Sequence, residues 1–465
     1  MDSLPRNARP WLGAAVVAIA VFATCWTASV VYWRASGSTP SGMAVGQLLL
    51  GLPVAILLAA WLGRTALQAR AAPAATQPAA AALPAAAPDR GALPHIAAAA
   101  VRLRGGDCVD DLAEALRANA VPCELDSELT DDAGYPIFSG RIDTLDADAA
   151  RDDMLPWLAQ RGMAELRLSD EQWRALAMGG AVAAELAQHA LLHPLLPDYL
   201  AAAPADRGAI ALPKLELKPV LSAAWLPAQR QAAGDWLLHL VAQQGWPATR
   251  LQLSPAFDSG PSASFSLVGA LAHAPGLTLL VACESFIGDD SVRDWSERGL
   301  LYTGRTPRGQ VPGEGAAGLL LADDEQAALL APAPMATLHG ACDGQREHSA
   351  DARGNINSDL LAALGRQALH EGQIEAAAIT ALCADADLRP SRAGELMGMA
   401  SAVLPELDLA SQMISAGACC GSAGAVGPLA ALALAWHEAI ENGGQVLCVS
   451  NTDSHYRSAL LVRRA

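Results

Sequence analysis

The chain has 465 residues, 52% of them hydrophobic and only 5% aromatic, and a formal net charge of −17 at pH 7. That charge argues against the phosphate backbone of a nucleic acid and against an anionic lipid surface as partners, because both repel an acidic protein. The length suits two ordinary domains or one large double one.

Nine cysteines, Cys25, Cys108, Cys123, Cys283, Cys342, Cys383, Cys419, Cys420 and Cys448, are scattered without a CxxC spacing. Several sit in apolar strand-like runs, such as Cys283 in LLVAC and Cys448 in VLCVS. The pattern reads as buried free thiols in a reducing compartment, not as a disulfide framework.

Residues 11 to 33 form an uncharged apolar run long enough to span a bilayer, with Trp11, Tyr32 and Trp33 at its edges. A second run covers 43 to 63. A cleaved signal peptide is the competing reading, but the first run is too long and Trp33-Arg34 lacks a small-residue cleavage pattern. Arg6 and Arg9 precede the first run, Arg64 and Arg70 come after the second, and the loop between holds Arg34. The positive-inside rule then puts both ends in the cytoplasm. The expectation is a two-helix membrane anchor over 1–64, with the rest cytoplasmic. Residues 65–94, rich in Ala and Pro, have no periodicity and read as an extended tether.

The remainder alternates strand and helix. His95 to Arg104 reads as a strand, and Asp107 to Ala118 as a helix with Val109, Leu112 and Leu116 on one face. Residues 125 to 148 are acidic and turn-rich. Residues 150 to 200 read as two or three helices with Trp157, Leu166, Trp173 and Leu176 as core candidates. His189 and His193 are spaced i, i+4, a metal-capable spacing, but no HExxH accompanies them. Two histidines on a partly exposed helix face is the plainer account.

Next come helix Pro227 to Gln244, strand Thr249 to Leu253, helix Ser262 to His273 and the wholly apolar strand Leu277 to Cys283. Their succession indicates parallel pairing, with Leu277 to Cys283 buried on both faces. Ala316 to Leu321 closes a first half, 95–330. A second half, 331–465, repeats the order: strand Met335 to Cys342, helix Ser358 to His370, strand Ala376 to Cys383, helix Leu429 to Ile440, strand Val446 to Ser450.

Two turns are unusually rich in small residues: VPGEGAAGLLLA over 311–322 and SAGACCGSAGAVGPLAA over 415–431. Glycine and alanine at this density let one backbone lie against another. By itself the second turn needs no more than a helix packed on a sheet. With the closing stretch QVLCVSNTDSHYRSALLVR over 445–463, the order resembles β-ketoacyl synthases and the wider thiolase-like group, over 210–465 and more weakly from residue 95.

The resemblance implies an α/β, thiolase-like five-layer duplicated fold, two sheets stacked around central helices, preceded here by two transmembrane helices. Condensing enzymes of the group use a cysteine nucleophile at a helix start, two histidines and a glycine-rich oxyanion loop. The helix N-terminus favours the thiolate, and backbone N–H groups stabilise the oxyanion. The nucleophile position falls near Phe257, Asp258 and Ser259, and no cysteine occurs between Cys123 and Cys283. Asp387 stands where the first histidine belongs and Ala418 where the second does. Asn451-Thr452-Asp453-Ser454-His455 replaces the glycine-rich closing loop. The resemblance therefore implies a pseudo-ketosynthase, with degenerate cleft positions Asp258, Ser259, Asp387, Ala418, Asp453 and His455, no cofactor and no metal.

A hydrolase built on Ser259 and His455 is a weaker reading, since no G-x-S-x-G elbow surrounds Ser259. His339, Cys342, Asp343 and His348 are close in sequence but irregularly spaced, so a metal site there is a weaker reading than solvated loop residues. Cys419-Cys420 reads as a pair of buried inert thiols and not a redox switch.

Anchor, tether and degenerate body together also resemble the membrane-anchored lipase-effector adaptors of type VI secretion. That resemblance implies a bacterial inner-membrane location, binding of a phospholipase-class effector in the cytoplasm and its loading onto the secretion spike. The partners would be effector, spike and membrane, with no nucleic acid, and a homodimer is admitted. The alternative is an acyl-thioester binding or acyl-transfer protein of β-ketoacyl synthase type.

Overall fold

A computed structural model describes residues 94–465, except 256, 259–267, 269–274, 332 and 353–355, together with residues 24, 26, 27, 34 and 35. The chain divides into two compact units, Met1–Pro88 and Asp89–Ala465, and the sheets and their covering helices belong to the second. The expected anchor runs and tether lie outside the described residues. Among the described residues no helix is long and apolar enough to cross a membrane.

The first half holds β1 (His95–Leu103), β2 (Glu124–Thr130), β3 (Pro136–Ser139), β4 (Leu215–Leu221), β5 (Leu251–Leu253), β6 (Phe257–Asp258), β7 (Leu277–Ser285) and β8 (Glu314–Ala322). The second holds β9 (Ala336–Gln345), β10 (Ile379–Ala384), β11 (Met413–Ser415), β12 (Gln445–Ser450) and β13 (Tyr456–Arg464). The spatial order is β5-β4-β7-β8-β1, then β9-β13-β12-β10-β11. Setting aside the β2–β3 hairpin and short β6, each half reads 3-2-4-5-1 in its own count. The duplication expected from sequence is therefore present in the strand order.

Parallel pairing holds for β4 with β5 and β7, and for β10 with β11 and β12. The last strand of each half, β8 or β13, runs antiparallel to both neighbours. The parallel pairing expected around Thr249–Leu253 and Leu277–Cys283 holds, since both strands run parallel to β4, and the antiparallel last strand of each half is an addition to it. The halves also join through two residue pairs, His95↔Thr337 and Ile96↔Ala336, so the two expected sheets share one hydrogen-bonded corner.

The principal helices are α1 (Val109–Arg117), α2 (Ala147–Gln160), α3 (Asp170–Ala190), α4 (Pro227–Gln243), α5 (Asp359–Glu371), α6 (Pro390–Val403) and α7 (Val426–Glu441). Nearly every residue of α7 is buried, because it packs on strands of both halves. Successive strand residues point to opposite faces. Leu280 and Ala282 of β7, and Val446 and Cys448 of β12, join α7 in the central core. Leu279 and Val281 turn outward onto α3 and α4, and Leu447 and Val449 onto α5 and α6, in two outer cores. Helix, sheet, helix, sheet, helix is the resulting layering, and it explains why these strands read as unbroken apolar runs. Val268, the described residue of the expected helix over 262–273, is helical and belongs to the central core.

Two expectations are corrected locally. The acidic stretch 125–148 contains the β2–β3 hairpin and the Asp146 cap of α2, not turns throughout. His189 is exposed on α3, but the helix ends before His193, whose ring is buried. His193 Nε2–H donates to Gln326 Oε1 (2.9 Å), while Nδ1 accepts from the Leu195 amide (3.3 Å). Burial lowers its pKa, with the Gln326 hydrogen bond opposing. The unfolded ring gains a proton as pH falls below 6.5 and the buried ring resists it, so stability drops across that window. His193→Gln should flatten the fall in urea midpoint between pH 7.5 and 5.5.

Candidate functional site

The two small-residue turns meet. The Gly313 amide donates to Ser422 O (3.2 Å), the Ser422 amide to Val311 O (2.8 Å), and the Gly140 amide to Pro312 O (2.8 Å). Three backbone segments thus lie side by side at the start of β8. A Cβ on Gly313 would stand 1.7 Å from the Cys420 carbonyl oxygen, and one on Gly140 2.4 Å from it. Gly421 has φ +65°, a left-handed conformation that glycine adopts without strain. Next to Gly313, the buried Glu314 takes Arg174 of α3 as an ion pair and accepts from the Ile142 amide (2.8 Å) and Ser285 Oγ (2.9 Å). The PGEGAA signature is thus a packing device with a buried charge pair behind it.

Beside this junction is a cavity of about 180 Å³. Asp387, Leu388 and Arg389, which come after β10, form one wall with Gly417 and Gly421. Tyr302, Pro307, Gly309 and Val311 form another, and Cys123 and Phe138 complete it. The Cys123 thiol donates to Cys419 O (3.4 Å), and burial pushes its pKa up to about 12. It is a neutral thiol at physiological pH, not an activated nucleophile. Cys419 and Cys420 are buried. Cys420 is held far above the usual thiol range by its hydrogen bond with Cys419 and by burial.

Asp387 lines the cavity, and Arg389 clasps it. Arg389 Nε lies 2.9 and 2.8 Å from the two carboxylate oxygens, Nη2 lies 2.7 Å from Oδ2, and the Arg389 amide donates at 3.0 Å. Arg389 continues to Thr452 O (2.7 Å) and Asp351 (3.3 Å). The fully buried Arg392 reaches the same two partners, each at 2.9 Å. Asp385, also buried, accepts from Ser450 Oγ (2.6 Å) and the Asn451 amide (2.8 Å). Its burial raises the pKa, against the pull of these donors.

The other expected positions scatter. Ala418 lies in the short helix Gly417–Cys420, half-buried beside the cavity wall. Asp453 accepts from the amides of His455 (2.7 Å) and Tyr456 (2.8 Å), and His455 Nδ1 bonds Ser454 Oγ (2.9 Å). Neither Asp453 nor His455 is among the cavity-lining residues. Asp258 ends β6 opposite Leu221, and Ser259 lies outside the described residues. Among the described residues no three His, Cys, Asp or Glu side chains converge as metal ligands. Sequence reasoning missed Arg389, Arg392 and Asp351. The close Asp and Arg spacing of DADLRPSR was the available signal.

No family model matches the chain, and no curated protein matches it. Solved structures match its architecture. The ishigamide ketosynthase/chain length factor superposes on 80% of this chain and 99% of its own, with TM-score 0.51 and 17% identity. An oxazolomycin ketosynthase domain of Streptomyces albus JA3453 covers 80% and 76%, with TM-score 0.55 and 12% identity. A type II polyketide ketosynthase in complex with its acyl-carrier protein covers 80% and 99%, with TM-score 0.50 and 14% identity.

The fold is ketosynthase-like. At these identities the likeness is one of architecture, and the chemistry must be argued from the residues present. In this ketosynthase-like fold the turn after β10 carries a buried ion-pair cluster at the cavity wall. Removing Asp387 leaves Arg389 buried without its main partner, so Asp387→Ala should cost about 3 kcal/mol. Asp453→Ala, which loses two loop hydrogen bonds, should cost about 1 kcal/mol. Gly313→Ala should cost about 3 kcal/mol through overpacking against Cys420. Urea denaturation of the three variants checks the ranking; an Asp387→Ala cost no larger than that of Asp453→Ala would remove the structural role from the clasp.

Proposed function

We propose that the chain binds acyl thioesters in the Asp387 cavity without condensing them. The observation that carries this is the cavity itself, walled by the turns after β10 and β11 and by the loop leading into β8. The ketosynthase-like architecture supports an acyl ligand there. The residues argue against turnover. A condensing site needs a group free to take and return a proton. Both oxygens of Asp387 face Arg389, and Cys123 stays protonated.

The loop that supplies Tyr302, Pro307 and Gly309 to the cavity also carries the exposed Arg305 and Arg308. Two exposed cations on a cavity-lining loop of an acidic protein suit a ligand delivered on a phosphate-bearing arm or an acidic carrier. The solved ketosynthase–acyl-carrier complex supports a carrier of that kind. Loading of a secreted effector onto a spike has no described feature in its favour, so acyl binding takes precedence. The apolar runs over 11–33 and 43–63 would hold the protein at a membrane.

Titration of the full chain with hexanoyl-pantetheine and with hexanoyl-loaded acyl-carrier protein tests the reading. Binding of both without thiol release is expected. Arg305→Glu with Arg308→Glu should weaken the carrier-borne ligand about tenfold and leave hexanoyl-pantetheine unchanged. Thiol release that Cys123→Ala abolishes would sink the non-reactive assignment.

A further inference from the structure

The cavity volume of about 180 Å³ is close to the ~150 Å³ of an engineered apolar cavity that takes up benzene. It is below the ~300–1,000 Å³ of pockets that hold drug-sized ligands. Phe138 of the β2–β3 hairpin and Tyr302 of the opposite loop meet edge to face, with ring centroids 5.8 Å apart and planes at 74°. Both rings line the cavity, and they come from separate elements.

Both halves are fastened. The buried Asp126 accepts from Arg141 Nε (2.9 Å) and Nη2 (3.1 Å) and from Ser139 Oγ (2.6 Å), next to Phe138. It also accepts from the amides of Glu128 and Leu129. Burial opposes this carboxylate, and those donors outweigh it and bring it down to about 2. The hairpin latch is therefore intact at neutral pH. On the other side the Tyr302 amide donates to Gln310 O (2.8 Å), which folds the loop back on itself. A Cβ at Gly309 would fall 2.4 Å from the Leu301 carbonyl, so this fold-back needs glycine.

Among the polar side chains that line the interior, Arg389 is the cation, and it is held in place. Arg389 directs Nε–H at Asp387, both Nη2 hydrogens at Asp387 and Thr452, and one Nη1 hydrogen at Asp351. A guanidinium has five N–H groups, so among the described residues these bonds leave one Nη1–H over on a side chain that lines the cavity.

We propose that this chamber selects a small acyl group, a straight chain of about six carbons or a single aromatic ring, and that Phe138 and Tyr302 set the limit. The inference rests on the acyl-binding reading of the cavity. The probe series is acetyl-, hexanoyl-, benzoyl- and dodecanoyl-pantetheine, titrated calorimetrically into the full chain. Hexanoyl and benzoyl should bind best, with dodecanoyl at least tenfold weaker. Phe138→Ala and Tyr302→Ala should each bring dodecanoyl to within about threefold of hexanoyl. Phe138→Leu, which keeps an apolar side chain, should give an intermediate shift and covers an alanine variant that fails to fold.

Dodecanoyl binding as tightly as hexanoyl in the unaltered protein overturns the size limit while acyl binding stands. No binding at any chain length overturns the acyl-binding reading itself. Unchanged selectivity in all three variants removes Phe138 and Tyr302 as the gate.

Discussion

The structure depends on one close approach. Val311 to Gly313 passes between Gly140 on one side and the Cys420–Ser422 turn on the other, with backbone hydrogen bonds to both. Side chains larger than hydrogen cannot occupy the contact at Gly313. From this point β8 runs into the first sheet, the β2–β3 hairpin ends, and the chain turns into α7, which fills the central core. Shifting this junction would move both halves and the cavity wall together. Its three strands of backbone also satisfy one another's polar groups, which a buried junction requires.

Around the cavity, charge does the organising that glycine does at the junction. Asp387, Arg389, Arg392 and Asp351 form a cluster that also holds the carbonyl of Thr452. A second cluster lies behind it, where buried Glu395 takes Arg457 through two bonds (2.9 and 2.8 Å) and Arg346 through a third (2.7 Å). Buried charges are tolerated only when paired, and losing one partner strands the other. Every carboxylate in these two clusters therefore has a structural task. A group committed to a guanidinium is poorly placed to shuttle protons, so the same pairs that hold the 451–455 loop restrict what chemistry the cavity can perform.

Much of the architecture was legible. The apolar run LTLLVAC read as a strand covered on both faces and QVLCV as a strand, and the three cores show both to be covered on each side. The PGEGAA and SAGACCGSAGAV turns were readable as places of backbone contact, and each proves to be half of a single contact. Antiparallel pairing of the last strand in each half was not legible, because a doubly buried strand has the same composition in either direction. His193 was misplaced because i, i+4 spacing assumes that the helix continues, and α3 stops short of it.

The site was less legible for a physical reason. Matching positions one by one shows what stands where a histidine would be, but not what that residue touches. Asp387 was found in this way, while its clasp by Arg389, two residues on, depends on the turn after β10. Phe138 and Tyr302 are 164 positions apart in the chain, and neither lies in a motif. They meet because the hairpin and the 301–311 loop flank the same junction, Gly140 bonding to Pro312 and Gln310 to Leu300. The contact that organises the fold therefore also brings together the two rings at the cavity, and a residue-by-residue reading of the sequence has no access to that geometry.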